Sequence, residues 1–165
     1  MKHETKITKN SGEKKLLVVR HFNAPVEKVW QAFTKQEILD LWWAPRPWRT
    51  ETKSLEFKPG GLWRYSMVGP NGDRHYCRVE FTAIEPQRSF KASSGFCDEN
   101  GVPNNNLPVM HWHTLFAPTA TGSKIDVTIS FDKEIDLKTI VDMGFEAGFT
   151  MALGNLDELL ERVTA

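Results

Sequence analysis

Apolar positions recur along this chain at two different spacings, and the spacing changes twice. Residues 16–22 are a short Leu- and Val-rich run that reads as a first strand, ended by Asn23-Ala24-Pro25. Pro25 suits the first position of a helix, where its missing N–H is no loss. Val26, Val29, Trp30 and Phe33 then follow helical spacing. A second short helix over about residues 35–43 turns Ile38, Leu41 and Trp42 inward, and Ala44-Pro45-Arg46-Pro47 stops it.

From Trp48 to Asp132 the period becomes two. Strands are predicted over residues 49–57, 62–68, 74–84, 89–96, 109–116 and 124–131, parted by Pro59-Gly60-Gly61, Asn71-Gly72, Pro86 and Thr121-Gly122. Ile125, Val127, Ile129 and Phe131 alternate with Asp126, Thr128 and Ser130, so one face is buried and one is wet. Trp63, Tyr65 and Met67 share a face by the same rule. Residues 98–108 hold four asparagines, two prolines and a glycine, and read as a long polar loop.

Over residues 136–163 the spacing returns to that of a helix. Leu137, Ile140, Val141, Phe145, Ala152, Leu156, Leu159, Leu160 and Val163 fall near one stripe, with Asp136 as N-cap. An uninterrupted helix of that length would reach about 40 Å. Gly144 and Gly148 lie on the stripe, and each costs roughly 1 kcal/mol relative to alanine inside a helix. They would let a sheet approach closely or leave room for something else. The bulky upper half (Met143, Phe145, Phe149, Met151) is expected to wall a cavity, and the leucine-rich lower half to anchor the helix. The order of one strand, two short helices, six strands and a long helix predicts an α+β domain.

Composition narrows the setting. The chain has 165 residues, enough for one domain with a sizeable core. Residues 1–14 read as a flexible tail and 15–165 as the single domain. Lys plus Arg equals Asp plus Glu at 21 each, so no positive field draws nucleic acid. Near-zero net charge is compatible with a homodimer and does not require one. No apolar run approaches a membrane span, and the polar N-terminus is no secretory signal, so a cytoplasmic protein is expected. Cys77 and Cys97 then read as reduced thiols, and their spacing matches no metal or redox motif.

Several stretches together resemble a known family. They are Phe22-Asn23-Ala24-Pro25-Val26-Glu27-Lys28-Val29-Trp30, Leu41-Trp42-Trp43, and Phe57-Lys58-Pro59-Gly60-Gly61-Leu62-Trp63-Arg64. Asn71-Gly72, Ile84-Glu85-Pro86-Gln87-Arg88 and Gly148-Phe149 ahead of Leu153, Leu156 and Leu159 continue the pattern. In this order they are similar to the activator-of-heat-shock-ATPase-homologue-like family of the START-like (SRPBCC) superfamily, over about residues 16–162. The resemblance implies a helix-grip fold: a curled antiparallel sheet of about seven strands around the long C-terminal helix, closed at one end by two short helices. It also implies an apolar cavity between sheet and helix. Members include lipid carriers, hormone receptors and cyclase-like enzymes, so the fold does not settle the function. Arg78, where a small residue is expected, and the length of the 98–108 loop depart from the family pattern.

The expected cavity set is Trp63, Tyr65, Met67, Tyr76, Phe96, Trp112, Phe145, Gly148 and Phe149, holding a small hydrophobic molecule. The competing reading is a packed core with no space left. A chaperone-interacting domain is the second functional reading. A cyclase- or hydrolase-like enzyme is the third, with Tyr65, Tyr76 and His75 as its polar cluster. His111 and His113 lie two apart and would supply half of a metal site, unless Trp112 faces the helix and turns both away. No catalytic residue, metal or cofactor is assigned. Trp42, Trp43 and Trp48 are read as an apolar plug, and a ligand is expected to enter past residues 98–108 and 137–144.

Overall fold

The computed structural model describes residues 4–164, with side chains through residue 162. Eight strands form one antiparallel sheet: β1 (Lys6–Asn10), β2 (Lys15–Phe22), β3 (Arg49–Leu55), β4 (Leu62–Val68), β5 (Arg74–Glu85), β6 (Ser89–Cys97), β7 (Met110–Pro118) and β8 (Ser123–Ser130). Their order across the sheet is β1-β2-β8-β7-β6-β5-β4-β3. The β2–β8 pairing, with Leu16 opposite Ile129 and Val18 opposite Val127, sets the last strand beside one of the first. Two short helices, α1 (Val26–Thr34) and α2 (Gln36–Trp42), follow β2. The sheet is open and curls in helix-grip fashion around the C-terminal helical segment. Among the described residues no helix is long and apolar enough to cross a membrane.

Two expectations need correction. Within the expected N-terminal tail, residues 6–10 form β1, paired with β2 from Lys6 opposite Val19 to Asn10 opposite Lys15. Only Ile7 in that strand is even half-buried, so the strand is held by ladder hydrogen bonds and leaves little hydrophobic signature. Residues 1–3 lie outside the described residues. The single long helix is two: α3 (Glu134–Asp142) and α4 (Phe145–Thr164). Gly144, at φ +89°, breaks it, in the left-handed region where a side chain is strained. The first helix also starts earlier than expected, with Lys133 at its N-cap and no side-chain cap.

The core is continuous from β2 and β8 to α4. Ala152, Leu153, Leu156 and Leu160 on α4 are buried against the inner face that carries Leu16, Val18, Ile125, Val127 and Ile129. The side chain of Val163, expected on the same stripe, lies outside the described residues. Arg20 reaches across this layer and donates to Asp157 Oδ2 at 3.1 Å, both side chains being almost fully buried. Asn155 Nδ2 donates to Ala44 O at 3.1 Å and ties α4 to the segment after α2. The lower part of α4 is therefore the anchor that its leucines predict.

Candidate functional site

Above that anchor the sheet and the helices part. A cavity of about 350 Å³ lies between the inner faces of β4–β7, the end of α2 with its following loop, and the α3–α4 junction. Neither Gly144 nor Gly148 is packed against the sheet. A Cβ on Gly148 would meet only Pro45 Cγ, at 3.7 Å, and one on Gly144 would meet nothing within 4 Å. The missing side chains leave space where close approach was the alternative.

One wall comes from β4. Trp63 and Tyr65 stack with centroids 4.1 Å apart, and Met67 continues the same face toward the mouth. The opposite wall is α4, where Phe145 and Phe149 stack at 5.5 Å. Trp112 on β7 meets both edge-on, at 5.9 and 5.5 Å. Phe96 on β6 lines the cavity as well. Eight of the nine expected residues thus surround one space.

Tyr76 is the exception. Cys77, Val79 and Phe81 hold the inner phase of β5, so Tyr76 turns to the outer face and borders a hollow with Arg64 and Asp98. His75 shares the inner phase but is exposed at the mouth, its ring 5.2 Å from that of Trp48. The Tyr65, Tyr76 and His75 cluster therefore does not converge. With Trp112 inward, His111 lies on the outer face, bonded to Ser93 Oγ at 3.0 Å and Asp132 Oδ1 at 3.1 Å, away from the cavity. Among the described residues no three His, Cys, Asp or Glu gather as a metal site.

Sequence reasoning misplaced Trp43. Trp42 is the buried plug, donating from Nε1 to Ala32 O at 2.9 Å. Trp43 instead lines the cavity, with its ring 5.4 Å from Trp63 and 6.0 Å from Trp112 and Phe149. Ser94 and Thr114 were also missed. They follow from the two-residue period once Phe96 and Trp112 are placed inward.

The polar groups of the wall are mostly satisfied within the protein. Trp43 Nε1 donates to the Tyr65 hydroxyl at 2.9 Å, Trp63 Nε1 to Thr52 Oγ1 at 3.0 Å, and Trp112 Nε1 to Ser94 Oγ at 2.8 Å. The Cys77 thiol, on the neighbouring strand, donates to His75 O at 3.9 Å. Burial pushes Cys77 up to about 12 and Tyr65 well above the ordinary phenol range, so both are neutral near pH 7.

The 98–104 segment is pinned. Arg64 donates to Glu99 O at 3.1 Å and Arg78 to Gly101 O at 3.0 Å. Asp98 Oδ1 accepts from the Asn100 and Val102 N–H groups at 2.8 and 2.9 Å. Arg78, the departure from the family pattern, points out of the cavity and serves the loop.

Residues 23–161 match the family described as Activator of Hsp90 ATPase homolog 1-like protein. A solved structure of a protein from Arthrobacter aurescens is similar at TM-score 0.90 and 28% identity, covering 95% of this chain and 91% of that one. Protein Ms6760 from Mycobacterium smegmatis is similar at TM-score 0.88 and 28% identity, covering 94% and 96%. A protein from Staphylococcus epidermidis follows the same fold at TM-score 0.83 and 25% identity, covering 95% and 94%. No curated protein matches the chain.

Proposed function

We propose that this chain, which belongs to the activator of Hsp90 ATPase homolog 1-like family of the START-like superfamily, binds a small apolar or aromatic molecule between its sheet and its C-terminal helices. The observation that carries this reading is the 350 Å³ space itself, walled by Trp43, Trp63, Trp112, Phe145 and Phe149. Open apolar volume is costly, because its lining forfeits dispersion contacts that a packed core would make. A guest recovers those contacts, and small-molecule sites commonly combine this volume with an apolar, aromatic wall.

N-phenyl-1-naphthylamine, a neutral probe whose fluorescence rises in apolar surroundings, tests the reading. It should bind saturably at one site. Gly148→Leu projects a side chain into the space where only Pro45 stands near, and should weaken the probe at least about tenfold while the thermal transition persists. Equal binding by the folded variant would remove Gly148 from the wall and the cavity from the function.

The family description supports a second reading, an activator of a chaperone ATPase. It predicts that the purified chain raises ATP turnover by Hsp90, whether or not the cavity is filled.

A further inference from the structure

We infer that the cavity selects uncharged molecules bearing a carbonyl or hydroxyl oxygen on an elongated apolar frame, and rejects carboxylates. This rests on the cavity-binding reading above. No Asp, Glu, Lys or Arg lines the space. His75 stands at the mouth, exposed and against Trp48, not within the aromatic wall. The Cys77 thiol and the Tyr65 phenol are kept neutral by burial. An ionised carboxylate brought inside would leave its hydration shell and find no countercharge, which is prohibitive in an apolar site.

The oxygen function follows from the polar groups that remain. The N–H groups of Trp43, Trp63 and Trp112 already donate within the protein. Ser94 accepts from Trp112, so its own proton is left to donate. Thr114 is only 1% exposed and lines the cavity. A hydroxyl on an apolar cavity wall can donate and accept, and is a ready contact for an uncharged oxygen of a guest.

The register spaces the two contacts. Ser94 is opposite Met110 on β7, and Thr114 is opposite Phe90 on β6. They are therefore four residues apart along the strands, or about 13 Å. Between them Ala92 pairs with Trp112, a small residue beside a flat one. A flat apolar body fits over that pair, with an uncharged oxygen at either end.

Three near-isosteric probes separate the terms in isothermal titration at pH 7.5: 2-acetylnaphthalene, 2-isopropenylnaphthalene and 2-naphthoate. The ketone should bind at least about tenfold tighter than the carboxylate, the margin set by desolvation. It should bind about fivefold tighter than the hydrocarbon, the scale of one hydrogen bond. Thr114→Val and Ser94→Ala, combined, should bring the ketone and hydrocarbon affinities together. Thr114→Val preserves shape, so it alone should narrow the gap if Ser94→Ala disturbs Trp112. Naphthoate binding as tightly as the ketone overturns the charge exclusion. A ketone preference untouched by Thr114→Val and Ser94→Ala overturns the two contacts. If none of the three binds, the cavity reading itself fails and this inference falls with it.

Discussion

Cys77 and Cys97 are adjacent in the β5–β6 ladder, Cys77 opposite Phe96 and Cys97 opposite Tyr76, yet they face opposite sides of the sheet. Cys77 is buried beside the cavity with its thiol pushed up to about 12, chiefly by burial. Cys97 is half-buried on the outer face, where burial raises it and Arg64 and Arg78 partly offset that. The thiolate is the reactive form, so at pH 8 a disulfide reagent such as dithionitrobenzoate should label Cys97 first. Cys77 should follow much more slowly and become fast only in denaturant, as read by mass spectrometry of the labelled peptides. Equal rates in the native protein would show that the thiol beside Tyr65 is not shielded. The sequence carries no sign of this difference, because neither residue belongs to a spacing motif. Tyr76 was misread for a related reason. His75 and Tyr76 are both amphipathic, so the phase of β5 is legible only from Cys77, Val79 and Phe81 further along.

Between elements, the informative contrast is α3 against α4. Leu137 and Ile140 bury α3, while Ile135 and Met143 are exposed, and Gly144 uncouples it from the helix that follows. α4 is locked by Leu153, Leu156 and the Arg20–Asp157 pair. The cavity opens beside Met143, Gly144 and His75, so α3 is the element best placed to move aside. Amide exchange should be faster over residues 134–142 than over 152–160, and N-phenyl-1-naphthylamine should slow the former more. Residues 98–104, held by Arg64, Arg78 and Asp98, should be protected more than an asparagine-rich loop suggests. Uniform protection across α3 and α4, unchanged by the probe, would place ingress elsewhere, at the Trp48 side. The length of apolar spacing over 136–163 was readable. The break was not, because a glycine on a helical stripe has the same spacing signature whether its φ is negative or positive.

At the scale of the whole molecule, one ion pair joins the sheet to the helix it grips. Arg20 and Asp157 are 137 residues apart in sequence and 3.1 Å apart in space. Burial lowers the Arg20 guanidinium from its ordinary range, and Asp157 opposes that shift. Removing one partner of a buried pair typically costs about 3–5 kcal/mol. Asp157→Asn should cost that much in urea denaturation, whereas Arg20→Met with Asp157→Leu should lose much less. A cost under about 1 kcal/mol for the single substitution would mean that the pair is solvated and the grip rests on the leucines alone. The sequence by itself determined the strand faces of β4 and β8, the presence of the two early helices, the anchoring leucines and the family, although α2 buries Leu39 and leaves Leu41, expected inward, exposed. Each of these is written in local periods or in short runs of neighbouring residues. Tertiary structure alone decided the pairing of β1, the break at Gly144, the outward turn of Tyr76, the service of Arg78 to a loop and the partnership of Arg20 with Asp157. It also decided that the space between Trp63 and Phe149 is open and not filled. A period specifies which side a residue faces, but a void is set by the distance between two layers. That distance depends on side chains from four strands and the helices at once, and no local pattern records it.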